Sequence, residues 1–157
     1  MKLILACDSE GGIGYKNKLP WSKIEGDLPR FKSLTEDKIV VMGRNTWESL
    51  PKKPLPNRTN FVVTSNPFSL PYQVNHEKVY AITNLNTLNS FNENACLIGG
   101  AKLIESAWQY ITTIHLTKTF AKYTCDTYID LLKLEKDFIL ESSIQHIDHY
   151  YQIYNKK

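Results

Sequence analysis

The sequence predicts an α/β protein built on a mostly parallel sheet. Three observations carry that expectation. Apolar runs of strand length recur at residues 2–7, 39–42, 60–65, 79–82 and 95–98. Helical patterns or helix-start signals fall between them, and strand–helix alternation of this kind builds parallel sheets. Past residue 111 the alternation stops, and β-rich stretches at 112–119, 138–144 and 149–154 read as a further strand and an antiparallel C-terminal hairpin.

The elements follow in order. Leu3 to Ala6 is a continuous apolar run, as in a strand covered on both faces. Gly11, Gly12 and Gly14 with polar neighbours read as a mobile loop. Asp27 followed by Pro29 marks a helix start with Asp27 near the N-cap, and Leu28, Phe31 and Leu34 form a stripe at helical spacing. The run at 39–42 ends at Gly43, and 46–50 reads as a short helix. Pro51, Pro54 and Pro56 mark a stiff loop. Asn84 is placed as the N-cap of a helix through Phe91. Gly99 and Gly100 end the fifth strand, and a helix follows with Leu103, Ile104, Ala107 and Trp108 on one face.

Bulk composition narrows the function classes. The 157 residues suit a single domain spanning 1–157, and 42% hydrophobic against 22% charged residues is a globular balance. Three cysteines share no CxxC spacing and read as reduced thiols in a cytoplasmic protein. A net charge of +3 with three arginines, Arg30, Arg44 and Arg58, argues against nucleic acid and suits a small anionic ligand. The apolar run before Cys7 is too short for a signal peptide and Asp8 follows at once, and no stretch approaches membrane-spanning length.

Four segments carry chemistry, and each also has an ordinary reading. Asp27 is either an N-cap or a carboxylate facing an apolar pocket, where desolvation would tune it for proton chemistry. The turn Gly43-Arg44-Asn45-Thr46 is either a plain strand–helix turn or a phosphate site with a cationic fork. Arg58, at the end of the proline-stiffened loop, is either a solvated arginine or a clamp for a carboxylate. Gly99-Gly100 either forms a tight turn or admits a pyrophosphate close to the backbone. The glycines at 12 and 14 fail the GxGxxG spacing, so a standard Rossmann domain is not expected. His146 and His149 lie in the hairpin with nothing to complete a metal set, no metal is expected, and the tyrosines at 150, 151 and 154 read as strand packing.

The order and spacing of these segments resemble dihydrofolate reductase along nearly the whole chain. The matching residues are Gly12-Ile13-Gly14, Leu19-Pro20-Trp21, Asp27 through Lys32, Val41 through Ser49, Pro54 through Arg58, Ile98-Gly99-Gly100 and Thr117. The resemblance implies an eight-stranded, mostly parallel sheet with an antiparallel C-terminal hairpin and about four flanking helices. It implies NADPH as cofactor, dihydrofolate as substrate, antifolates as inhibitors, and a monomer.

The resemblance also implies roles. Asp27 is the ionisable group of the pterin pocket, Thr117 braces it, and Trp21 holds an active-site water. Leu5, Ala6, Leu28, Phe31, Leu50, Leu55 and Ile98 form apolar walls, and Arg58 with Lys32 nearby meets the glutamate tail. Arg44, Thr64, Ser65 and Lys102 surround the 2′-phosphate, while Thr46 and Gly99 to Ala101 meet the pyrophosphate across a cis Gly99–Gly100 bond. Ala6, Ile13, Gly14, Leu19, Gly43, Asn45, Ile98 and Ile104 complete the cofactor set, and residues 9–24 form a lid. Ile104 stands where many members have a tyrosine, Lys53 falls in a lengthened loop, and Cys125 stands where a glycine is common. The nearest rival reading is a reductase of riboflavin synthesis on the same fold, and a non-catalytic folate- or nucleotide-binding protein is the other.

Overall fold

A computed structural model describes residues 1–70 and 78–157. Its centre is an eight-stranded sheet whose strands are β1 (Lys2–Cys7), β3 (Ile39–Gly43), β4 (Thr59–Val63), β5 (Val79–Ile82), β6 (Ala95–Gly99), β7 (Thr113–Thr119), β9 (Phe138–Gln145) and β10 (His149–Lys156). Their order is β5-β4-β3-β6-β1-β7-β10-β9. Every pairing from β5 to β7 is parallel, and β7–β10 and β10–β9 are antiparallel.

The continuous apolar runs now have a physical reason. Successive strand residues face opposite sides of the sheet, and both sides are covered. Leu3, Val41 and Leu97 enter one core cluster, while their neighbours Ile4, Val40, Met42 and Cys96 enter the other. Trp47, fully buried, anchors the second cluster. The covering helices are α1 (Asp27–Thr35), α2 (Arg44–Ser49), α3 (Ala101–Ser106) and α4 (Leu131–Asp137).

Four expectations are corrected. Asp27 is not the cap of α1: Gly26 occupies that position at φ 79°, without a side-chain cap, and Asp27 is the first helical residue. Gly26 supplies the left-handed backbone that an L side chain disfavours. The glycine segment read as loop contains β2 (Gly12–Gly14), which pairs with β8 (Thr127–Tyr128) in a small second sheet. The strand expected over 60–65 ends at Val63, leaving Thr64 and Ser65 beyond it. The helix after Asn84 is 3-10, spanning Leu85–Ser90, although the Asn84 side chain does accept the Asn86 N–H as a cap should.

Candidate active site

The carboxyl ends of β1, β3 and β6 and the middle of β7 open into one cleft of ≈ 1130 Å³. That end of a parallel sheet is where open α/β folds place ligands. In the β3–β6 pairing Val41 opposes Leu97 and Met42 opposes Gly99, so Ile98 is an extra residue bulged into the cleft.

One half of the cleft is built from side chains. The stripe on α1 is cleft wall more than core: Leu28 is 71% exposed and lines the cleft beside Phe31. With the cap role gone, the Asp27 carboxylate turns to β7, where Thr117 Oγ donates to Asp27 Oδ1 at 2.8 Å. Thr117 is itself buried and sits opposite Ala6 of β1. Arg58 is buried at the far wall, donating from Nε to Thr35 Oγ at 3.0 Å and from Nη1 to the Pro56 carbonyl at 3.1 Å. Its guanidinium carbon lies 5.8 Å from the Phe31 ring centroid. A guanidinium carries more donors than these two bonds use, so it can still grip a carboxylate. Trp21 is buried and packs edge-on against Tyr123 at 5.7 Å.

The other half is built from backbone. Gly99 takes φ 136°, and the Gly99–Gly100 bond is cis. A Cβ on Gly99 would stand 3.1 Å from Thr46 Oγ, and one on Gly100 would stand 3.3 Å from it. The φ of Gly99 needs a glycine, and at both positions a Cβ would crowd the Thr46 hydroxyl across this gap. α2 and α3 both begin here and offer the free N–H groups of their first turns. Arg44 and Lys102 stand beside the gap. Arg44 is steadied at the rim by Glu48 Oε1 at 2.7 Å and by the Ser69 carbonyl at 3.1 Å. A narrow glycine cradle flanked by cations fits the anionic bridge of a dinucleotide.

Most of the residues expected from the sequence meet in this one cleft. Leu5, Ala6, Ile13, Gly14, Leu19, Lys32, Gly43, Asn45, Leu50, Leu55, Ala101 and Lys102 line it with those already described. Thr64 and Ser65 do not line it, and Ile104 packs instead in the first core cluster.

Sequence reasoning missed a neighbouring group. Arg30 lines the cleft and donates from Nη1 to Thr117 Oγ at 3.3 Å. Its guanidinium lies 4.3 Å from the centroid of Tyr151, and Nη2 is 3.1 Å from His149 Nε2 and 3.4 Å from His146 Nε2. The available signal was strand parity. Tyr151 is paired with Thr117 and His149 is two residues away, so all three share one face.

A cleft in which a glycine cradle flanked by cations lies against a pocket lined by one carboxylate fits a nicotinamide-dependent oxidoreductase. The comparisons make the assignment particular. The family model described as dihydrofolate reductase matches residues 1–156. Dihydrofolate reductase type 8 of Escherichia coli is 39% identical over 160 residues, covering 98% of this chain and 94% of that one. Dihydrofolate reductase of Buchnera aphidicola is 37% identical over 137 residues, covering 85% and 81%. Among solved structures, dihydrofolate reductase from Enterococcus faecalis, complexed with NADP(H) and RAB-propyl, superposes with a TM-score of 0.82 at 27% identity, covering 99% of this chain and 95% of that one. The chain belongs to the dihydrofolate reductase family, the NADPH-dependent oxidoreductases that reduce dihydrofolate to tetrahydrofolate. No helix among the described residues is long and apolar enough to cross a membrane.

Proposed function

We propose that the chain acts as a monomeric, single-domain, cytoplasmic dihydrofolate reductase open to antifolate inhibitors, with Asp27 as its proton-handling carboxylate. The observation that carries the reading is the Thr117–Asp27 hydrogen bond in the cleft that also holds Arg58 and the Gly99–Gly100 cradle.

The pterin ring lies against Leu5, Ala6, Leu28, Phe31, Leu50 and Ile98, with its amino edge bonded to Asp27. Thr117 orients that carboxylate, Trp21 holds a water near the ring, and Arg58 grips the α-carboxylate of the tail beside Leu55, with Lys32 nearby. NADPH, when bound, would supply the hydride that C6 receives. Gly43, Asn45, Thr46 and Gly99 to Lys102 would hold its bridge and phosphates, and Arg44 would serve the 2′-phosphate end, with Thr64 and Ser65 as polar groups outside the cleft lining. Ile13, Gly14 and Leu19, which line the cleft, would cover the nicotinamide. The protein's contribution is alignment, exclusion of water and control of the proton that reaches N5.

The test is turnover of dihydrofolate followed by loss of NADPH absorbance. Asp27→Asn should bind NADPH normally and lose roughly 100-fold or more of its turnover at neutral pH, the usual size of a general acid–base contribution. Partial recovery in acid is expected. Unchanged turnover would remove Asp27 from its role.

A further inference from the structure

We propose that Arg30 is a positioning residue for the reaction: it orients the Thr117 hydroxyl that holds Asp27, and its charge sets the pH range in which that carboxylate works. The inference rests on the assignment of Asp27 above.

The geometry is directional. The Thr117 hydroxyl has one hydrogen, and it is spent on Asp27 Oδ1 at 2.8 Å. Toward Arg30 the same oxygen can therefore only accept, and it does so from Nη1 at 3.3 Å. A cation, a hydroxyl and an anion thus form one polarised chain, in which each bond strengthens the next. Rotating the hydroxyl away would leave both charged groups without this partner.

Arg30 is fixed from behind by the C-terminal hairpin. The Tyr151 ring supplies a face at 4.3 Å. His149 is fully buried, and its Nδ1 lies 2.7 Å from Asp148 Oδ1 while its Nε2 lies 3.1 Å from Arg30 Nη2. The carboxylate requires a proton on Nδ1, and the guanidinium requires a lone pair on Nε2. The imidazole is therefore neutral in this arrangement, since a cationic ring would point one N–H at another. Asp148 is held below the usual carboxylate range, first by the hydrogen bond from His149 and then by the Glu25 N–H.

The groups facing Arg30 come from every packed element. They are Asp27 of α1 through Thr117 of β7, His149 and Tyr151 of β10 with Asp148 behind the imidazole, His146 of the hairpin turn, stacked on His149 at 4.6 Å, and His115 of β7, whose Nδ1 lies 2.6 Å from the Tyr151 hydroxyl and which desolvation pushes down. Burial pushes the Tyr151 hydroxyl up, so it stays neutral. Desolvation, with the Arg30 charge adding to it, pushes His146 down. Arg30 is the sole cation of this group at neutral pH.

The sign follows. A cation favours the carboxylate over the carboxylic acid. Without it, the proton stays on the site to higher pH, and the decline of hydride transfer with rising pH moves upward.

The experiment is single-turnover hydride transfer across pH, with NADPH binding as the check on folding. Arg30→Met should raise the midpoint of the decline by about one pH unit. Arg30→Lys, which restores charge without the planar fork, should return it most of the way. An unmoved midpoint in Arg30→Met overturns the proposal, and so does an equal shift in both variants, which would make shape and not charge the cause. Should the methionine variant fail to bind NADPH, His149→Leu, which frees Arg30 from the hairpin, must move the midpoint by a smaller measurable step, and no step overturns the proposal. Asp27→Asn separates the two claims. If it removes the midpoint and leaves only a rise in acid, while Arg30→Met leaves the midpoint where it was, Arg30 alone is refuted. If it keeps the ordinary profile, the assignment of Asp27 falls first.

Discussion

The two halves of the cleft are made by opposite means. On the side proposed for the pterin, charged and polar side chains hold one another: Asp27, Thr117 and Arg30 in one chain, Arg58 and Thr35 in another pair. On the side proposed for the dinucleotide the essential feature is that side chains are missing at Gly99 and Gly100, where a Cβ would crowd the Thr46 hydroxyl. The first half is sensitive to charge and the second to volume. The comparison predicts that damage stays local, with substitutions in one half sparing the affinity of the other ligand.

The largest effect is expected in the glycine pair, and the two glycines should fail differently. Gly99→Ala meets both a φ of 136° and a 3.1 Å contact with Thr46 Oγ. Backbone strain of that kind costs of order 1–3 kcal/mol, so both stability and NADPH affinity should fall. Gly100 has an ordinary φ of −92°, and its Cβ would meet only the Thr46 hydroxyl, at 3.3 Å. A second change, Thr46→Ala, should therefore return the stability of Gly100→Ala and leave Gly99→Ala impaired. Thermal unfolding of the two double variants reads this directly. Equal rescue would mean that volume alone governs the cradle.

A smaller and more selective effect is expected at Arg58. Arg58→Met removes the proposed clamp on the tail carboxylate, a charge-assisted contact worth about 1.5–3 kcal/mol, so KM for dihydrofolate should rise roughly 10- to 100-fold. The tail takes no part in the chemistry, so kcat at saturation should change far less. Steady-state kinetics with both substrates varied will show it. A parallel loss of NADPH affinity would break the separation between the halves.

The sheet was legible in the sequence because parallel strands bury both faces, and runs such as Ile39–Gly43 advertise that directly. β2 and β8 were not, since strands of three and two residues, one of them mostly glycine, carry no periodicity. The cleft residues were legible where motif order fixed them. Arg30, His149 and Tyr151 were not, because each has an ordinary reading alone and their contacts join positions more than eighty residues apart. Asp27 shows the limit of a local rule. Asp before a helix with Pro29 is a good cap signal, yet a buried threonine ninety positions away in the chain holds the carboxylate instead.

Asp8 belongs to neither half and joins the turn at Glu10–Gly12 to the segment at Tyr123–Cys125. It is buried at the end of β1 and accepts from the Glu10 N–H at 2.9 Å, the Gly12 N–H at 2.8 Å, the Tyr123 N–H at 2.9 Å and the Cys125 thiol at 3.6 Å. Here Cys125 does fill the space beside Gly12, since a Cβ at Gly12 would overlap its sulfur. Burial raises the Asp8 carboxyl, but the N–H bonds from Tyr123, Gly12 and Glu10 outweigh it and hold the group below its usual 3.8. A depressed native value means stability that is present above 3.8 and lost as pH falls through the lower native value. Asp8→Asn trades acceptors for an amide NH2 that faces other donors, and should cost about 1–3 kcal/mol. The Tm difference between the two proteins should hold steady from neutral pH into mild acid and close below 3.8. Its effect on either ligand should be the smallest of the three, because no bond to Asp8 comes from a residue proposed to touch substrate or cofactor. A Tm gap that persists unchanged in strong acid would show that shape, not charge, holds this junction together.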